Sequence, residues 1–137
     1  GNLIGIGTWT KGALDRAAAI IQAQRAQFGE DKNFSPDYRI ILITDGEWTN
    51  ETGNSKLSPA AQNPALTADL LKTKHNVTTH VITLGDAAGK AFPDELAAAG
   101  ETAKAIQAIS APDFAAKLKG MLSFLDSLGL IPKDCSG

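Results

Sequence analysis

A chain of 137 residues is long enough for one domain with a buried core, and 43% hydrophobic with 20% charged residues is the balance of a globular protein. A net charge of −2 and a pI near 5.6 supply no positive field for a phosphate backbone, so no nucleic acid partner is expected. No apolar run approaches the length of a membrane span and no signal peptide opens the chain, so no membrane insertion is expected; a start at Gly1 rather than methionine suggests a processed chain or a piece of a longer one.

In chain order, the short apolar stretch Asn2 to Ile6 leads into a Gly-rich loop, Gly5 to Thr10. A helix follows, with Thr10 as its expected N-cap and Leu14, Ala17, Ala18 and Ile21 at helical spacing before Phe28 and Gly29. After a polar loop, Arg39 to Thr44 reads as a strand, and the run Ile40 to Ile43 predicts burial on both faces. The connection Gly46 to Asn63 holds Gly53 and Pro59, and structureless chain of that length is usually functional.

Pro64 suits the first position of a second helix capped by Asn63, running through Leu66, Leu70 and Leu71 to about His75. Thr79 to Leu84 alternates and is rich in β-branched residues, which predicts a second strand ending at Gly85-Asp86. A short helix over Pro93 to Ala99 should close at Gly100 in the C′ position, and Ala103 to Ile109 gives a weaker third strand. The last helix starts at Pro112, sets Phe114, Leu118, Met121, Leu122 and Leu125 on one face, and stops at Gly129. This alternation predicts an α/β domain over residues 1–129, a Rossmann-like doubly wound parallel sheet with right-handed crossovers and helices on both faces, followed by a tail over 130–137.

The strand of Arg39 to Thr44 delivers Asp45 at its carboxyl end, the edge where ligands bind in open parallel sheets. Taken together, Gly7-Thr8-Trp9-Thr10 before an amphipathic helix, ILITDGE at one strand end, THVITLGD at the next and a terminal Phe-Ala-Ala-Lys-Leu helix resemble a von Willebrand factor type A domain. The resemblance runs over nearly the whole chain in family order, and it covers only the second half of that fold. The family's metal-ion-dependent adhesion site takes a D-x-S-x-S stretch, a threonine and the aspartate of T-D-G. Thr8 matches the threonine and Asp45 the aspartate, while D-x-S-x-S would lie upstream of residue 1.

The resemblance implies a Mg²⁺ ion, or Mn²⁺ or Ca²⁺, held by Thr8 directly and by Asp45 often through water, with the last helix, Pro112 to Leu128, as the element whose movement toggles affinity. A neutral hydroxyl and a carboxylate suit such a cation, and with few anionic ligands it stays able to accept a carboxylate from a partner. The expected function is therefore extracellular adhesion to a protein or matrix ligand presenting a carboxylate. The alternative is a structural module of an extracellular filament, pilus or matrix with a degenerate metal site.

Each residue has a plainer role beside the functional one. Asp45 could cap the turn after its strand, and Thr10 competes with Thr8 as the functional threonine. Trp9 and Trp48 flank the two candidate ligands and are either binding anchors on the rim or seals over the core. Glu47 reads as a solvated or salt-bridged loop residue, and His75 and His80 lack metal-ligand spacing. Gly5-x-Gly7 with Gly12 superficially resembles a dinucleotide loop, but its spacing departs from G-x-G-x-x-G and no Lys-Ser or Lys-Thr pair completes a P-loop. No Ser, His and Asp set suggests nucleophilic catalysis, so no enzyme is expected.

Three sequons, at Asn33, Asn50 and Asn76, exceed the roughly one expected by chance and tilt toward an exported, glycosylated protein. A glycan on Asn50 would crowd the rim that Trp48 is to present. Cys135 is the single cysteine; it is a free thiol or pairs outside the chain, and the family resemblance implies a staple to a cysteine before the first strand. The end, Asp134-Cys-Ser-Gly, imitates the metal-loop motif without its strand. Removing the first half of the fold would bare the edge of strand 39–44, so the missing N-terminal half or another chain is expected to pair there.

Overall fold

The computed structural model describes residues 8–28, 37–45, 47–53, 60–85 and 90–129. Asn33, Cys135, the stretch Asn2 to Ile6, the Gly5-x-Gly7 loop and the tail 130–137 lie outside the described residues. The elements are α1 (Thr10–Phe28), β1 (Arg39–Thr44), a 3₁₀ turn (Ala60–Gln62), α2 (Pro64–His75), β2 (Thr78–Leu84), α3 (Ala91–Ala99), β3 (Ile106–Ala108) and α4 (Ala111–Ser127). The strands form a parallel sheet in the order β1-β2-β3, with Thr44 opposite Thr83 at the carboxyl end of the first pair and Leu84 opposite Ala108 in the second.

Helices cover both faces. On one, Leu14, Ala18 and Ile21 of α1 join Ala68 and Leu71 of α2, Leu96 and Ala97 of α3 and Val81 of β2 in one buried cluster. On the other, Met121 and Leu125 of α4 close over Ile82 and Ala108. The start of α2 is as expected, with Asn63 accepting from the Ala65 amide at 3.0 Å and Pro64 in the first helical position, and its end is set by Asn76 in the left-handed conformation (φ 51°).

Several expectations are corrected. The carbonyl that opens α1 is that of Trp9, accepting from Ala13 N–H at 3.3 Å, and the Thr10 hydroxyl donates back to the Thr8 carbonyl, so the cap lies one residue upstream of Thr10. In α2 the buried stripe is Pro64, Thr67, Ala68 and Leu71; Leu66 and Leu70 turn outward, because the face that packs into the core is the one carrying Ala68 and Leu71, with the Thr67 hydroxyl bonded to Asp15 of α1 at 2.7 Å beside it.

Gly100 does follow α3, but its φ is −83° and the left-handed residue is Glu101 (φ 59°). The reason for glycine there is space: a Cβ would lie 2.6 Å from the Thr79 carbonyl oxygen. The third strand is shorter than Ala103 to Ile109, and Ala103 (φ 64°) belongs to the turn before it. In α4 Leu122 stays 41% exposed.

Burial of β1 also differs from expectation. Ile40, Ile41 and Leu42 are half-buried and Ile43 is 45% exposed, because β1 is an edge strand among the described residues. The paired-on-both-sides strand β2, by contrast, buries Val81, Ile82 and Thr83 completely.

Candidate functional site

Asp45 follows the last residue of β1 and is exposed at the carboxyl edge of the sheet. Thr8 precedes α1 and is half-buried. The connection between these two loops is a main-chain hydrogen bond, Thr49 N–H to the Thr8 carbonyl at 2.8 Å. The same carbonyl accepts from Thr10 N–H at 2.8 Å, which bends the chain into the first turn of α1. The loop that leaves Asp45 is thereby closed onto the loop that holds Thr8, whose carbonyl accepts from two backbone amides and from the Thr10 hydroxyl.

The flanking residues have mixed roles. The Trp9 ring lies over Gly12, where an added Cβ would meet ring atoms at 2.5 to 2.7 Å, and its Nε1 donates to Gln62 Oε1 at 3.3 Å. Trp9 is therefore seated on the first turn of α1 and still 43% exposed, while Trp48 is half-buried. Glu47 reaches Lys90, the residue before α3, at 3.6 Å. The Asn50 side-chain oxygen accepts from both the Thr52 amide (3.0 Å) and hydroxyl (2.8 Å), so this sequon is folded on itself as an Asx turn. Asn76 sits at the end of α2 rather than in an extended loop, and it is exposed.

The start of α1 favours negative charge nearby. No acidic residue occupies its first turn, and Lys11 is paired with Asp15 at 2.6 Å, so the positive end of the helix is unopposed within the helix itself. Burial works to raise the Asp15 carboxyl pKa, yet the hydrogen bonds from Lys11 and Thr67 hold it below the ordinary range. The first turn of α1 therefore disfavours a cation along the helix axis.

By residue type, the oxygen groups on these two loops are of the kind a hard divalent ion takes. Thr8 brings a hydroxyl and Asp45 a carboxylate, and Thr49 adds a buried hydroxyl oxygen with no hydrogen-bond partner. Among the described residues no group of three or more His, Cys, Asp or Glu side chains gathers, so a cation held by these residues would rest on hydroxyls and one carboxylate. Thr49 escaped the sequence reading because its only sequence signal is its place four residues after Asp45, and its burial comes from the loop closure.

His75 and His80 take structural places. The His75 carbonyl accepts from Arg25 at 2.6 Å, and His80 Nε2 lies 3.3 Å from Arg39 Nη1. At the neighbouring strand ends a cavity of about 270 Å³, lined by Leu84, Ala108, Ile109 and Phe114, opens beneath the first turn of α4. No described helix is long and apolar enough to cross a membrane. In comparisons with known proteins, no family model, no curated protein and no solved structure matches this chain.

Proposed function

We propose that this chain is an extracellular adhesion module of the von Willebrand factor type A kind, which binds a protein or matrix ligand through a divalent cation at the carboxyl edge of its sheet. The observation that carries this reading is the closure of the Asp45 loop onto the Thr8 loop by the Thr49 to Thr8 hydrogen bond. In this reading Thr8 supplies a hydroxyl and Asp45 a carboxylate to Mg²⁺, Mn²⁺ or Ca²⁺, and the ion offers its remaining position to a carboxylate of the partner. Trp9 and Trp48 flank that position, and the part of Trp9 left open serves as rim.

The domain is completed at β1. Among the described residues β1 is an edge strand and Ile43 on it is 45% exposed, so this reading places the N-terminal half of the fold or another chain beside residues 39–44, where it would pair the edge and cover that face. A structural module with a degenerate metal site is the second reading, and the seating of the Trp9 ring on Gly12 favours it, because a ring held there packs the fold whether or not a ligand is bound.

Titration calorimetry with Mg²⁺, Mn²⁺ and Ca²⁺ on the chain and on Thr8→Ala and Asp45→Ala separates the two. The adhesion reading expects a single site that each substitution weakens at least about tenfold, the scale on which even indirect metal contacts act. Binding that is unchanged by either substitution, or absent from the parent, leaves only the structural module.

A further inference from the structure

We infer that the Thr49 hydroxyl is a third oxygen donor of the cation site, a role that neither motif matching nor the family pattern gives it; the inference rests on the cation reading above. The residue is 8% exposed, and its Oγ1 is buried without a hydrogen-bond partner. Its own amide is bonded to the Thr8 carbonyl at 2.8 Å, which puts its backbone in direct contact with the Thr8 loop. A buried hydroxyl left without a partner is unfavourable, and native structures keep such groups where an ion, a water or a catalytic role accounts for them.

Two other threonine hydroxyls, those of Thr79 and Thr83, are also buried without a partner, and they show why Thr49 differs. Both stand in β2, where threonine shares with valine a branched shape that suits a packed strand, so the hydroxyl is incidental to the fit. Thr49 lies on a loop outside any strand, where no ladder or sheet packing calls for a β-branched residue. The feature left to explain there is a buried, unpartnered oxygen on the residue whose amide ties the Asp45 loop to the Thr8 loop.

The chemistry suits a hard cation better than an anion. Threonine oxygen is a neutral donor that adds coordination without charge, which leaves the ion able to attract a partner's carboxylate. A third donor also answers the thinness of a site built on one hydroxyl and one carboxylate.

The test compares Thr49→Val, which keeps the shape and removes the oxygen, with Thr49→Ser, which keeps the oxygen. Mn²⁺ affinity is measured by calorimetry and Tb³⁺ binding by luminescence excited through the two tryptophans, with urea unfolding of each variant as a control for folding. The expected result is that Thr49→Val binds both ions at least about tenfold more weakly while its unfolding midpoint is equal or higher, and that Thr49→Ser stays within about threefold of the parent. Equal affinity in Thr49→Val overturns the inference while leaving the site reading intact. A lowered midpoint in Thr49→Val reassigns the hydroxyl to holding the loop and overturns it as well. Absence of binding in the parent refutes the cation reading itself, and this proposal with it.

Discussion

Replacing Gly100 by alanine should destabilise the protein through one methyl group. The backbone there (φ −83°, ψ 6°) is open to any residue, so no conformational penalty enters. The cost is steric: the new Cβ would stand 2.6 Å from the Thr79 carbonyl oxygen and 2.7 Å from the Thr79 Cβ. That carbonyl already accepts from the Thr102 hydroxyl at 2.9 Å, and the Gly100 carbonyl accepts from Thr79 N–H at 3.2 Å, so moving α3 away from β2 strains both bonds. Overpacking of this kind costs about 1–3 kcal/mol, and partial loss of the two hydrogen bonds adds about 1 kcal/mol more.

Gly120→Ala is the matched control. This glycine is exposed in the middle of α4 with nothing within 4 Å of an added Cβ, so the same substitution should stabilise by about 0.5–1 kcal/mol through helix propensity. Urea unfolding followed by circular dichroism reads both. A Gly100→Ala midpoint at or above that of the parent would refute the close approach between α3 and β2.

Two further outcomes concern the cap of α4 and the pH response. Ser110 accepts from Asp113 N–H at 3.2 Å while the Asp113 carboxylate accepts from Ile109 N–H at 2.9 Å, so Ser110→Ala should cost about 1 kcal/mol in the same unfolding assay, and an unmoved midpoint would count against the reciprocal cap. The His80 pKa is held below its ordinary value by burial first and by the Arg39 charge second. Below about pH 6.5 the unfolded chain takes up a proton that the folded chain resists, so this group's contribution is present above that pH and is lost as pH falls through the folded value. His80→Gln should flatten the decline in stability between about pH 7 and pH 5, and a slope identical to that of the parent would refute the assignment.

Local signals made much of the architecture legible. The alternation of apolar periods gave the order of helices and strands, the Asn63-Pro64 pair marked the start of α2, and the aliphatic run ending at Asp45 located the carboxyl edge. Thr8 and Asp45 were legible as a candidate pair only through resemblance, since 36 residues of sequence separate positions whose neighbouring loops meet through the Thr49 to Thr8 hydrogen bond.

What remained for the tertiary structure were matters of which side of an element meets what. Leu66 and Leu70 are apolar signals in α2 as strong as Leu71, yet the helix buries Thr67, Ala68 and Leu71, because that is the face that meets α1, α3 and β2 in the core. Glycine at position 100 reads as a helix stop in one dimension and is a spacer against β2 in three. Thr49 carries no motif, and its buried oxygen exists only once two distant loops close over it. Periodicity and capping act over a few residues and are written in the chain; burial depends on which surfaces meet, and that is decided only when the elements pack.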